Sequence, residues 1–184
     1  SKAQALGINF FRFHSWTPPE AAFEAADELG IYMQPELYGF GGTPFSEYYD
    51  EEAVRILHYL ANHPSFVMFA WGNELDPTGS NRDGANALRE LCRSVDNTRL
   101  YAEGSNNNYW SPSFNTGDDY WTTCKTKANS DPYHTRISFS WVDAASGGAL
   151  ESMQPNTTFN YQHAISEIDK PLMNHEAGQY QVLP

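Results

Sequence analysis

The chain has 184 residues, 40% of them hydrophobic, with 11 Lys+Arg against 23 Asp+Glu and a formal net charge of −12. That length can bury a real core in one unit, and no apolar run approaches the about 20 residues that a membrane-spanning helix needs. The acidic balance and the scattered basic residues repel a phosphate backbone, which argues against nucleic acid as a partner.

Strand and helix signals alternate along the chain. Ser1-Lys2-Ala3-Gln4 opens in what reads as the last turn of a helix, as if cut from a longer chain. Ile8 to Phe13 is an apolar, aromatic run that reads as a buried strand. Pro18-Pro19 before Glu20 starts a helix with Ala22, Ala26 and Leu29 on one face, and Gly30 closes it as a C′ glycine. Ile31 to Met33 is a second strand, leading into Gln34-Pro35-Glu36 and a loop with Gly39, Gly41 and Gly42. Those glycines lack nucleotide-binding spacing and precede no immediate helix, so no phosphate cradle is expected. Asp50 caps the next helix, with Val54, Leu57 and Ala61 on its apolar face and Asn62-His63-Pro64 as its stop.

Phe66 to Trp71 is the clearest strand, and its lack of alternation predicts burial on both faces of a parallel sheet. A third helix carries Leu88, Leu91, Cys92 and Val95 on one stripe, and Leu100-Tyr101-Ala102 is a short strand. Residues 104–156 are the least regular, with a strand at Tyr120 to Thr123. A helix over 157–168 groups Tyr161, Ala164, Ile165 and Ile168, and Pro171 to Asn174 is the last strand. Such alternation implies a parallel sheet, either doubly wound or closed as a barrel. No repeat, low-complexity tract or linker divides the chain, so 1–184 reads as one domain. Cys92 and Cys124 match no zinc spacing, and Cys92, on its helix's apolar stripe, reads as a buried free thiol. No cofactor and no catalytic metal is expected from the scattered histidines. The compartment stays open, with a periplasmic or secreted one favoured; the sequon Asn156-Thr157-Thr158 adds little.

In parallel α/β folds, chemistry gathers where strands end. Here the strands end on Arg12-Phe13-His14-Ser15-Trp16, on Glu36, on Gly72-Asn73-Glu74, on Glu103-Gly104-Ser105-Asn106 and on His175-Glu176. Glu74 and Glu176 each follow a strongly apolar strand, and in a barrel they would face each other across the mouth. Paired carboxylates suit glycosidic cleavage, one giving a proton to the leaving oxygen and the other attacking or stabilising the anomeric carbon. Apolar surroundings such as Trp71 would raise the pKa of the acid, and Arg12 is the natural cation to keep the other ionised. Either glutamate taken alone reads rather as a loop cap or as the partner of a surface lysine. Glu36 reads as a hydroxyl ligand or as an ion pair with a neighbouring strand end. With 11 Phe, 11 Tyr and 5 Trp, several in Asn-rich stretches such as Asn106-Asn107-Asn108-Tyr109-Trp110, the chain has rings that suit sugar faces and equally rings that fold back onto a core. Trp16, Trp110 and Trp141 are the candidate stacking platforms.

The segment Asn62-His63-Pro64-Ser65-Phe66-Val67-Met68-Phe69-Ala70-Trp71-Gly72-Asn73-Glu74 resembles glycoside hydrolase family 2, the β-galactosidase, β-glucuronidase and β-mannosidase family. Gly7-Ile8-Asn9-Phe10-Phe11-Arg12-Phe13-His14 with Phe23, Asp27, Glu28, Leu29, Gly30, Ile31 and Tyr32 is similar to that family's second strand and helix. Pro171-Leu172-Met173-Asn174-His175-Glu176-Ala177-Gly178-Gln179 resembles its seventh-strand segment. The resemblance implies a (β/α)8 barrel and a retaining hydrolase of β-glycosidic bonds. Glu74 would be its acid/base and Glu176 its nucleophile, with Asn73 holding the sugar 2-hydroxyl and Arg12 orienting the nucleophile or keeping it ionised. His14 stands one position earlier than the family's histidine and reads as a sugar ligand or as support for one. His175 is expected to point away from the site by strand alternation. Tyr120 could hydrogen-bond the nucleophile, and Asn106 is a further candidate sugar contact. A catalytically silent sugar-binding barrel and an endo-acting glycanase are the alternative functions. A (β/α)8 barrel takes about 250 residues, so the motif register implies strands two to seven. The missing strands, and the β-sandwich domains that usually flank such barrels, would come from a parent chain. The expected partners are therefore an oligosaccharide or β-glycoside, those missing parts, and a second copy in a homo-oligomer. The chain alone is expected to be weakly active or inactive, with open sheet edges.

Overall fold

A computed structural model of the chain describes residues 1–41, 45–76, 78–108, 112–126, 162–166 and 168–176. Its elements are α1 (Lys2–Ala5), β1 (Phe10–Arg12), α2 (Glu20–Leu29), β2 (Tyr32–Gln34), α3 (Glu47–Tyr59), β3 (Met68–Ala70), α4 (Ser80–Val95), β4 (Leu100–Ala102), β5 (Trp121–Thr123), α5 (Gln162–Ile165) and β6 (Leu172–Asn174).

The strands pair in parallel and in chain order. Phe10 lies opposite Tyr32, Met68 opposite Leu100, and Trp121 opposite Leu172. Single bridges join these pairs: Met33 with Phe66 and Glu36 with Ala70 link β2 to β3, while Ser105 with Thr122 links the end of β4 to β5. A doubly wound sheet reverses its strand order at a switch point, and this arc does not, which is the order of a barrel wall.

The two faces of the arc carry different cores. Along β3, Phe69 and Trp71 point outward to Phe23, Ala53, Leu57 and Leu88 of the helices, while Met68 and Ala70 point inward to Ala102, Tyr120, Phe10 and Met173. Each large side chain buried on the outer face contributes about 1.5–3 kcal/mol, so the helices are held by their apolar stripes. Cys92 is free and buried, and burial, with the nearby Asp50 charge, pushes its thiol up to about 12, which leaves it inert.

Several helix details differ from the sequence reading. In α2 the buried residues are Phe23 and Ala26, while Leu29 is exposed. Gly30, at φ 65°, turns the chain so that Ile31 takes the next buried place. Helix α3 begins at Glu47 with Ser46 at the cap position, which puts Asp50 inside the first turn, and it buries Tyr49, Ala53, Ile56 and Leu57 rather than Ala61. The stripe starts one turn earlier because the Tyr49 hydroxyl donates to the Trp71 carbonyl. Ile165 of α5 is exposed, and Tyr161 lies outside the described residues.

Two contacts fix the ends of β3. Below it, Asp27 accepts from Ser65 N at 2.8 Å and pairs with His63 Nδ1 at 2.6 Å, holding the Asn62-His63-Pro64-Ser65 turn against α2. Above it, Asn73 N donates to the Gly39 carbonyl at 2.8 Å and Gly41 N to the Asn73 carbonyl at 3.1 Å. A Cβ on Gly72 would stand 2.4 Å from the Gly39 carbonyl oxygen, and the φ of 150° at Gly72 is itself one that side chains rarely adopt. Gly72→Ala is therefore expected to destabilise the protein by about 2–3 kcal/mol, read as a lower urea midpoint in the full-length protein.

Candidate active site

The polar strand ends converge on Arg12. Counted from the inward Phe10, Arg12 also faces inward, and its guanidinium meets three other strand ends. Nε donates to Glu36 Oε1 at 2.6 Å and Nη2 to Glu36 Oε2 at 3.0 Å, a bidentate pair. Nη2 also donates to Asn73 Oδ1 at 2.7 Å, and Nη1 to His175 Nδ1 at 2.8 Å. Glu36 is wholly buried and accepts further bonds from Ser105 Oγ at 2.6 Å and Gln34 Nε2 at 3.4 Å. Burial pushes its carboxyl up, opposed by the Arg12 charge and by the hydrogen bonds from Arg12 and Ser105. Glu36 is thus the ion pair between neighbouring strand ends, and no oxygen of it is exposed.

His175 differs from its sequence reading. Counted from the inward Met173, it faces the barrel interior, and the left-handed backbone of Glu176, φ 54°, brings the next side chain toward the same mouth. Because arginine only donates, Nδ1 accepts and the ring proton is assigned to Nε2. Burial, then the charges of Arg12 and His14, push His175 down to about 3, so the ring is neutral. Its Nε2 lies 3.5 Å from Glu176 Oε1, beyond a good hydrogen bond.

Glu74, at φ 51°, follows β3, and its backbone N–H donates to the Ser105 carbonyl at 2.8 Å. Both candidate carboxylates therefore stand on left-handed backbone, which costs about 1–3 kcal/mol per residue and clusters at functional sites. Glu176 is half-buried, and burial and then the Glu74 charge push its carboxyl up, against Arg12 and His14. The Glu74 charge thus reaches Glu176. The expected arrangement around them changes in two respects. Arg12 makes no hydrogen bond to Glu176, its guanidinium being directed to Glu36, Asn73 and His175, and Trp71 packs in the outer core rather than against a carboxylate.

The other candidates fall in different places. His14 is exposed at the rim, its ring 5.6 Å from that of Phe40, and its charge reaches Glu36, His175 and Glu176. Trp16 is 47% exposed and meets Phe13 edge-on at 5.7 Å. Asn106 is buried, its Oδ1 accepting from Thr123 Oγ1 and Cys124 N, both at 3.2 Å, so that oxygen braces the end of β5. Tyr120 precedes β5 and lies within the inner core below the mouth; its buried hydroxyl has no partner among the described residues, so it does not bond Glu176. Trp110 and Trp141 lie outside the described residues. Gln34, Ser105 and His175 are site residues that the sequence reading missed. Counting alternation forward from Met173, rather than back from Glu176, flags the last.

Comparison with known proteins places the chain in a family. The family described as "Glycosyl hydrolases family 2, TIM barrel domain" matches residues 3–168. The chain belongs to glycosyl hydrolase family 2. A putative β-glucuronidase of Formosa agariphila is 27% identical over 112 residues, 55% of this chain and 10% of that protein. The solved β-glucuronidase of Parabacteroides merdae is 21% identical with a TM-score of 0.54, over 67% of this chain and 16% of its own. An FMN-binding β-glucuronidase of Facaelibacterium prausnitzii L2-6 is 24% identical with a TM-score of 0.55, over 68% of this chain and 22% of its own. These structural likenesses support the TIM-barrel fold. The family 2 domain described here thus spans only 10% to 22% of the length of these relatives. Among the described residues, no group of three His, Cys, Asp or Glu could hold a metal ion, and no helix is long and apolar enough to cross a membrane.

Removing the guanidinium leaves Glu36 buried without a counter-charge. Arg12→Leu is expected to cost about 3–5 kcal/mol at neutral pH. Glu36 would then hold a still higher pKa, and a carboxyl raised in the folded state favours folding below its unfolded pKa and loses that contribution as pH rises through the folded one. The penalty should therefore shrink on acidification, which thermal unfolding across pH measures.

Proposed function

We propose that this family 2 barrel hydrolyses β-glycosidic bonds with retention, Glu74 serving as acid/base and Glu176 as nucleophile. The observation that supports this most is the pair of carboxylates, from the ends of β3 and β6, sharing one mouth on left-handed backbone while Glu74's charge acts on Glu176. In the first step Glu74 gives its proton to the glycosidic oxygen as Glu176 attacks the anomeric carbon, expelling the leaving alcohol and forming a glycosyl-enzyme. In the second, Glu74 takes a proton from water, whose oxygen attacks the same carbon and releases Glu176. Such a mechanism requires the carboxyls to lie about 5–5.5 Å apart. Asn73 Nδ2 is buried and has no partner among the described residues, while its Oδ1 is held by Arg12, so the amide is oriented to donate to a sugar hydroxyl. His14 and Trp16 at the rim suit a hydroxyl contact and a sugar face. The six described strands fit consecutive walls of a (β/α)8 barrel.

A β-glucuronide is the first substrate to test, because the relatives carry that name. Chromogenic β-glucuronide, β-galactoside and β-mannoside should be hydrolysed by the full-length protein with the β-anomer released first, as NMR would follow. Glu176→Gln is expected to lower kcat by about 10³-fold or more while far-UV circular dichroism stays unchanged; near-normal turnover would overturn the assignment. Glu176 must be ionised to attack, and its pKa is raised, so the acidic limb of kcat/KM should lie above the ordinary glutamate pKa, with activity lost as pH falls through it.

A further inference from the structure

Glu36, Arg12, His175 and Glu176 form a line across the mouth, from the end of β2 through β1 to β6. Its first link is bidentate, its second is the 2.8 Å contact from Arg12 Nη1 to His175 Nδ1, and its third is the 3.5 Å approach of His175 Nε2 to Glu176 Oε1. We propose that His175 is a positioning residue, a neutral ring that carries the orientation fixed by the Glu36–Arg12 pair to the attacking carboxylate and donates to one of its oxygens. This inference rests on the reading of Glu176 as nucleophile.

The chemistry favours a ring at this position. A guanidinium paired directly with Glu176 would hold both oxygens by charge-assisted bonds and blunt their attack. An interposed neutral imidazole offers one donor, to one oxygen, and leaves the other free to reach the anomeric carbon. An apolar residue of similar volume would leave Arg12 Nη1 without this acceptor and Glu176 Oε1 without this donor. Contacts between catalytic groups tighten as substrate binds. Among the described residues, the charged and titratable groups facing Glu176 are Glu74 from the end of β3, Arg12 and His14 from the end of β1, and His175 on its own strand; those facing His175 are Arg12, His14 and Glu176.

The test compares His175→Leu, His175→Gln and Glu176→Gln in the full-length protein, with melting temperatures recorded for each. His175→Leu should lower kcat about 10- to 100-fold with KM within about threefold, and should move the acidic limb of kcat/KM upward by about half a pH unit, because a donor to the ionised form is lost. His175→Gln, which keeps both an acceptor and a donor, should recover most of kcat and restore the limb. In the unmodified protein, ¹⁵N NMR of the histidine whose signals vanish in His175→Gln should show a neutral ring with its proton on Nε2 from about pH 5 to about pH 8. That readout decides the matter even where the leucine variant does not fold. A protonated ring, a proton on Nδ1, or kinetics of His175→Leu equal to those of the unmodified enzyme would overturn the inference. An inactive Glu176→Gln beside a fully active His175→Leu sinks this inference alone, whereas an active Glu176→Gln sinks the nucleophile reading and this inference with it.

Discussion

One guanidinium organises the mouth of this barrel. Arg12 offers a planar fork of donors, and the structure uses it on a carboxylate, an amide oxygen and a ring nitrogen that arrive from three different strands. Glu36 could not be buried without it, and Ser105 and Gln34 complete the carboxylate's remaining hydrogen bonds. A lysine would bring charge but no fork, and could not satisfy acceptors set in one plane by separate strands. The ends of β1, β2, β3 and β6 are therefore registered to one another by a single side chain as well as by the sheet.

That registry matters because the strands are short. With three residues each, the ladders alone pin little, and placement comes from the two cores of opposite face and from the brackets at the strand ends. Alternation sorts Phe69 and Trp71 to the helices and Met68 and Ala70 to the interior, so the outer wall is apolar and the upper interior is free to be polar. The Asp27 bracket below β3 and the Gly39 contact above it then fix where Asn73 and Glu74 emerge.

Most of this architecture was legible in the residues, because parallel strands with helices between them leave strong periodic signals. Phe66 to Trp71, the Leu88–Val95 stripe and the Gly30 stop are patterns whose physics is local. The candidate carboxylates were legible as well, since each follows an unmistakable strand. Legibility failed where conformation departs from the regular repeat or where partners come from elsewhere. His175 was misdirected because alternation presumes extended backbone, and nothing about a glutamate announces a φ of 54°. Ser105 and Gln34 look like ordinary polar residues until cross-strand register sets both against Glu36. Arg12 was recognised as the cation of the site, and an ion pair with a neighbouring strand end was one reading of Glu36, but that the two are each other's partner depends on a register between residues far apart in sequence.

The approach of Gly72 to Gly39 has a mechanical consequence. Two backbones in van der Waals contact, tied by reciprocal hydrogen bonds on either side, move as one body. The loop leaving β2 therefore travels with the turn that carries Asn73 and Glu74. Any widening of the mouth must pivot somewhere other than this seam.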